Sequence, residues 1–192
     1  MNIGIYGGTF NPIHFGHVGM ALWTLTHTPL DELWLMVTPG NPLKDGQTLA
    51  RNEQERLANA QQAITQATEE HREELKGKRL LVSDFEFTLP RPSYTAQTLR
   101  ALQKAYPQHQ WQLLIGEDNL HCFKRWREWE WIAKSFPVLV YPREGTEDRN
   151  IGCMPAADDF KQLTFLADAP RFDISSTRLR EEKQRKDSFS LA

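Results

Sequence analysis

Residues 4–17 read Gly-Ile-Tyr-Gly-Gly-Thr-Phe-Asn-Pro-Ile-His-Phe-Gly-His, and these types at this spacing suit the binding of phosphate. Ile3 and Ile5 predict a first strand, which Gly7 and Gly8 are expected to stop with a turn. A glycine-rich exit from a strand exposes backbone N–H groups, and the helix that follows adds its positive dipole end. Neither G-x-G-x-x-G nor G-x-x-x-x-G-K-[ST] occurs in the chain, so the two commonest phosphate cradles are excluded. The imidazoles of His14 and His17 stand where a P-loop uses lysine, and Gly16 between them lets backbone approach a ligand. Two alternatives compete: a histidine pair that merely caps the first helix, and half of a metal site. The metal alternative is the weakest. Cys122, Cys153, His27, His71, His109 and His121 offer no ligand-spaced cluster.

Four further segments could converge on the same ligand. Ser175, Ser176 and Thr177 begin a helix that carries Arg178 and Arg180; hydroxyls, free helix N–H groups and guanidinium suit a triphosphate, and simple capping is the alternative. Pro39-Gly40-Asn41-Pro42-Leu43-Lys44 is a rigid loop ending in a cation, which is either a phosphate ligand or a surface lysine. Residues 91–98 open a helix; Pro92 and Ser93 are good helix-start residues and a structural role is one reading, while the uncapped N–H groups of that start could also bind a carboxylate. Residues 116–131 hold three of the six tryptophans. Among them Asp118 either accepts from ribose hydroxyls or caps a helix. Trp129 and Trp131 are best read as core or rim residues.

These segments need a scaffold that brings loop ends together. Strands are expected over 2–6, 32–38, 79–84, 110–115 and 136–141, with a weaker one near 163–167, and helices over 16–27, 52–67, 94–105 and 128–135. Such alternation predicts an α/β fold, a Rossmann-like open parallel sheet with helices on both faces. The motifs then fall at C-terminal strand ends, where such sheets bind ligands. The charged stretch 68–78 reads as a solvated helix end and loop. Residues 145–159 read as a flexible connection.

The 192 residues suit a single domain spanning 1–192, with a small segment from about 160 carrying the Ser-Ser-Thr motif. A net charge of −2 argues against nucleic-acid binding, so an anionic ligand must meet a local cluster of cations. Two separated cysteines, no leader pattern and no long apolar run predict a cytoplasmic protein without a membrane span.

Taken together, Gly7–Pro12 with His14-x-Gly16-His17, Pro92-Ser93-Tyr94-Thr95 with Thr98, Gly116-x-Asp118, Trp126, and Ile174-Ser175-Ser176-Thr177 with Arg180 resemble the bacterial nicotinate-nucleotide adenylyltransferases. The first and last motifs belong to the wider nucleotidyltransferase superfamily; the Pro-Ser-Tyr-Thr segment and Trp126 carry the narrower likeness. The resemblance implies transfer of AMP from ATP to nicotinate mononucleotide with Mg²⁺, giving deamido-NAD and pyrophosphate. It implies an ATP site made of Gly8, Thr9, Phe10, His14, Gly16, His17, Gly116, Asp118, Ser175, Ser176, Thr177 and Arg180. His14, His17, Lys44 and Arg180 would carry the chemistry. Lys44, Tyr94, Thr95, Trp126 and Arg143 would hold the nicotinate nucleotide, the metal would be held by ATP phosphates, and the chain would be a monomer or homodimer. Asn11 stands where the family usually has aspartate, Leu43 where it often has histidine, and the sequence ends twelve residues past Arg180. Pantetheine-phosphate adenylyltransferases, nicotinamide mononucleotide adenylyltransferases and cytidylyltransferases are the rivals within the superfamily. A nucleotide-binding regulator is the rival outside catalysis.

Overall fold

In the computed structural model, which describes residues 1–40, 53–143 and 153–172, the strands pair in parallel as β3-β2-β1-β4-β5-β6. They are β1 (Asn2–Gly8), β2 (Glu32–Val37), β3 (Arg79–Ser83), β4 (Gln110–Gly116), β5 (Pro137–Tyr141) and β6 (Gln162–Phe165). The helices are α1 (Phe15–His27), α2 (Glu53–Glu70), α3 (Arg72–Leu75), α4 (Thr95–Ala105), α5 (Glu117–His121) and α6 (Trp129–Ser135).

Neighbouring residues on one strand point to opposite faces, and here both faces are apolar. Ile3, Ile5, Leu113, Ile115, Val138 and Val140 pack with Leu99 and Leu102 of α4 and Ile132 of α6. Tyr6, Leu33, Leu35, Leu114, Leu139 and Tyr141 pack instead with Met20 and Leu25 of α1 and Leu57 and Ile64 of α2. Gly4 is demanded by this second layer. A Cβ there would lie 2.6 Å from Leu33 Cδ1 and 2.7 Å from Leu30 Cδ1.

Two expectations need correction. Gly7 and Gly8 do not stop β1; they pair with Met36 and Val37 of β2. A ladder needs only backbone groups, so the glycines extend the strand, and the chain turns later, at Phe10, whose φ is 44°. The charged stretch 68–78 is also not merely solvated. It ends α2 and forms α3, whose Leu75 is buried. The Lys78 ammonium then donates to the Leu25 and Thr28 carbonyls at 2.8 and 2.6 Å, at the negative end of α1.

From β1 the chain builds outward to β2 and β3, then crosses back to lay β4 on the other side of β1. The loops leaving β1 and β4 therefore diverge, and a crevice opens between them at the C-terminal strand ends. No helix among the described residues is long and apolar enough to cross a membrane.

Candidate active site

The cradle begins where β1 ends. His14 is the N-cap of α1 in extended backbone, yet its side chain makes no capping bond. His17, one turn in, does the reciprocal work, its Nδ1 accepting the His14 N–H at 3.3 Å. That bond uses the Nδ1 lone pair, so the neutral ring carries its proton on Nε2 and is a donor there. The two imidazoles stack, with centroids 3.7 Å apart and planes at 27°. His14 is buried, and neither ring nitrogen has a partner among the described residues. Burial first, and then the Arg143 charge, lower its pKa from 6.5 to about 4. It is neutral at pH 7, next to backbone that attracts anions. A purely capping histidine would have its ring nitrogen bonded, and the His14 ring does not.

Phe10 fixes this geometry from beneath. Buried at the left-handed turn, it sets its ring edge-on to Tyr6 and His17, with centroids 5.4 and 5.1 Å away. Any side chain at Gly8 would press on the same ring, at 3.1 to 3.3 Å.

Arg56 was not singled out by the sequence patterns, yet it ties the cradle to the next loop. It reaches from α2, only 2% exposed, and donates to the carbonyls of Thr9 at 2.5 Å, Thr38 at 2.8 Å and Pro39 at 2.9 Å. A signal was available. Arg56 stands in register with Ala60, Ile64 and Ala67 on the buried stripe of α2, where an arginine needs fixed acceptors.

Across the crevice, Gly116 is the N-cap of α5 and Asp118 lies inside its first turn, so Asp118 is not the cap. Its carboxylate pairs with Arg143 at 3.5 Å, and the Arg143 N–H donates to Glu117 at 3.2 Å. A Cβ at Gly116 would collide with Asp118 Oδ1 and sit 3.3 Å from Arg143 Cδ and Nε. Arg143 thus belongs to the side of the crevice that faces His14 and Tyr6.

The start of α4 forms the other wall. Tyr94 is its N-cap, without a side-chain capping bond, and its carbonyl accepts from the Gln97 and Thr98 N–H groups. The Thr95 and Ala96 N–H groups therefore have no acceptor among the described residues. The Arg127 guanidinium lies 5.0 Å from the centre of the Tyr94 ring. One cavity joins these parts: Gly7, Gly8 and Thr9, Gly116, the 93–95 segment with Glu86 and Thr98 behind it, and Trp126 with Arg125 and Arg127. Trp126 is half-buried there, 5.1 Å from Phe123. Trp129 and Trp131 pack at the rim of the core, beneath Lys124 and Arg100 respectively, as expected. Glu86 is a second residue that the sequence patterns did not mark.

Of the expected site residues, Gly8, Thr9, Tyr94, Thr95, Gly116 and Trp126 line this one cavity. Phe10 packs against His17; His14 and His17, with Gly16 between them in sequence, stack at the start of α1; and Asp118 pairs with Arg143 beside Gly116. Lys44, Ser175, Ser176, Thr177 and Arg180 lie outside the described residues.

A family model described as cytidylyltransferase-like matches residues 5–182. A probable nicotinate-nucleotide adenylyltransferase from Bacteroides fragilis is 44% identical over 181 residues, covering 93% of this chain and 80% of that protein. Its counterpart from Flavobacterium johnsoniae is 40% identical over 180 residues, covering 94% and 85%. Among solved structures, the Plasmodium falciparum nicotinic acid mononucleotide adenylyltransferase complexed with NaAD superposes with a TM-score of 0.67 at 16% identity, covering 94% of this chain and 82% of that one, which supports the fold. The family model's match over residues 5–182 and this likeness along nearly the whole chain place it in the cytidylyltransferase-like family, among the nicotinate-nucleotide adenylyltransferases.

Proposed function

We propose that the chain transfers AMP from ATP to nicotinate mononucleotide, forming deamido-NAD and releasing pyrophosphate. The observation that carries this reading is that one cavity is lined both by the β1 glycines and by the α4 start with Trp126. The glycine-lined backbone suits a triphosphate; the helix start and indole suit a flat ring bearing a carboxylate.

The attacking group is the acceptor's phosphate monoester, whose second pKa is ~6, so it is largely dianionic at neutral pH and needs no general base. The protein's task is to hold two anions in line and to meet the charge that develops on the α-phosphate and the leaving pyrophosphate. His17 offers its Nε2–H. His14, neutral when alone, gains a proton more readily once phosphate oxygens approach, and so follows the charge. Lys44, Ser176 and Arg180 complete this shell in our reading, with Arg143 at the strand-five loop. For the acceptor, the Tyr94–Thr95 backbone receives the nicotinate carboxylate and Trp126 stacks on the ring. In this reading the metal ion is carried on the ATP phosphates rather than by protein side chains. Bound that way, Mg²⁺ supplies further neutralisation of the transferring and leaving phosphates.

The test is pyrophosphate release from ATP with nicotinate and nicotinamide mononucleotides side by side. Backbone donors favour an acceptor-only carboxylate over a carboxamide, whose N–H₂ would face them, by ~1–3 kcal/mol, or roughly ten- to a hundred-fold in kcat/KM. Equal kcat/KM for the two would refute the donor site. Turnover only with pantetheine phosphate or with CTP would move the chain elsewhere in the superfamily.

A further inference from the structure

Glu86 follows β3 on a single helical turn, Phe85–Thr88, and it is buried, at 5% exposure. Its Oε1 accepts the Thr98 hydroxyl at 2.7 Å, and its Oε2 is buried with no partner among the described residues. Thr98 lies one turn along α4 from Tyr94, whose carbonyl is 3.3 Å from the same hydroxyl. Glu86 also lines the cavity beside Ser93, Tyr94 and Thr95, and the buried Ser93 hydroxyl is likewise without a partner. A carboxyl group with no cation bound to it among the described residues therefore stands against the helix start that would receive a substrate carboxylate.

We propose that Glu86 makes the choice of acceptor depend on pH: nicotinate mononucleotide binds with Glu86 protonated, whereas nicotinamide mononucleotide binds with Glu86 in either state. This deepens the function proposed above and rests on it. Two carboxylates in one water-poor cavity cannot both stay ionised without cost, so one takes a proton. The substrate carboxylate is bound by backbone donors that favour its charge. Among the described residues Glu86 has only a hydroxyl donor and no cation, so it is the one that takes the proton.

The other charged and titratable groups nearby do not change this assignment. Tyr6 on β1, Tyr94, Arg125 and Arg127 share the cavity, but Arg127 lies over the Tyr94 ring and neither arginine pairs with the Glu86 carboxyl. On α4, Arg100 is committed to Glu128. Arg91, on the loop before α4, pairs with Glu53. Asp84 precedes the turn itself. β2, packed beside it, carries only Glu32, which is paired with Arg79 at the opposite strand end. Burial, opposed in part by the Thr98 hydroxyl, raises the Glu86 pKa to about 7 in the free protein, so both states are populated near neutrality. If the nicotinate carboxylate raises it by one further unit, ionised Glu86 must bind that substrate tenfold more weakly, by reciprocity.

The experiment is the ratio of kcat/KM for nicotinate over nicotinamide mononucleotide between pH 6 and pH 9. ATP, His14 and the acceptor phosphate titrate identically with both substrates and cancel in the ratio. In the wild-type protein the ratio should fall about tenfold as pH rises through 7 to 8, through KM for nicotinate mononucleotide rather than through kcat. Glu86→Gln keeps an Oε1 acceptor for Thr98 and should flatten the ratio. A flat wild-type ratio, or the same slope in Glu86→Gln, overturns the proposal. A second measurement needs no variant: calorimetric titration of wild-type protein at pH 7.5, in two buffers of different ionisation enthalpy. Nicotinate mononucleotide should take up a sizeable fraction of a proton more than nicotinamide mononucleotide, and equal uptake refutes the idea. Absence of turnover with either nucleotide at every pH would refute the underlying function instead.

Discussion

Replacing Arg56 tests whether the cradle depends on a support outside it. The guanidinium satisfies three carbonyls, those of Thr9, Thr38 and Pro39, at 2.5, 2.8 and 2.9 Å. Hydrogen bonds from a charged donor contribute roughly 1.5–3 kcal/mol each. Their sum overstates the loss, because a truncated site admits water. The better guide is the ~1–3 kcal/mol that each buried carbonyl costs when left without a donor, reduced where water replaces it. Arg56→Ala should therefore cost about 3–5 kcal/mol, a large share of the ~5–15 kcal/mol that holds a domain of this kind. Arg56→Lys retains a charge that can reach one carbonyl at a time, and should lose about half as much. Urea unfolding monitored by tryptophan fluorescence gives the stability. Steady-state kinetics at a temperature where the variant is fully folded give the second readout. Thr9 and Thr38 leave β1 and β2 at the same end, so a shift of about 1 Å there should lower kcat/KM for ATP by on the order of 10²-fold. A loss below about 1 kcal/mol with unchanged ATP kinetics would show that the loops hold their shape without the staple, and the reasoning would fail.

Other outcomes follow from the same geometry. His17→Ala should lower kcat by ~10²–10³ with a smaller effect on KM for ATP, since its donor acts on developing charge; near-normal kcat in a folded variant would leave His17 as a helix cap only. His14 titrates at about 4 when folded against 6.5 when unfolded, so the unfolded chain binds the proton first. Stability is full above pH 6.5 and falls by up to about 3 kcal/mol as pH drops through 4. A His14→Asn variant should lack that part of the decline, and ATP should raise the His14 pKa in an imidazole NMR titration. Gly116→Ala should displace Asp118 and Arg143, both flexible side chains, and so raise KM for ATP several-fold while shifting Tm by only a few degrees, as thermal melts would show.

Six strands and their parallel pairing, though not their order, were legible because both faces of this sheet are buried, which leaves apolar runs too short for buried helices and bounded by turn residues. Periodicity could not show that Gly7 and Gly8 stay in the ladder, since pairing there involves no side chain. The histidines, the α4 start and Trp126 could be singled out as candidates because their chemistry is local and their spacing unusual. Arg56 and Glu86 were not. Each acts through partners far away in sequence, Thr9 in one case and Thr98 in the other, so their value arises only once the chain has folded. Polar residues on stripes that are otherwise buried are the trace such groups leave. Thr98, between Tyr94 and the core residues Leu99 and Leu102 of α4, leaves the same trace.

The strand order has a consequence for how such a chain can change over generations. In the function proposed above, the glycines and histidines of the triphosphate side come from the first strand and its helix, whereas the Tyr94–Thr95 backbone and Trp126 of the acceptor side come from the stretch after β3 and the stretch after β4. The two sets meet in space but are inherited on separate stretches of sequence. Variation confined to 84–98 and 125–127 can therefore explore new acceptors while the donor half, with its tightly constrained glycines and stacked imidazoles, passes through unaltered. A fold of this kind diversifies by keeping one ligand fixed and auditioning others for the second seat.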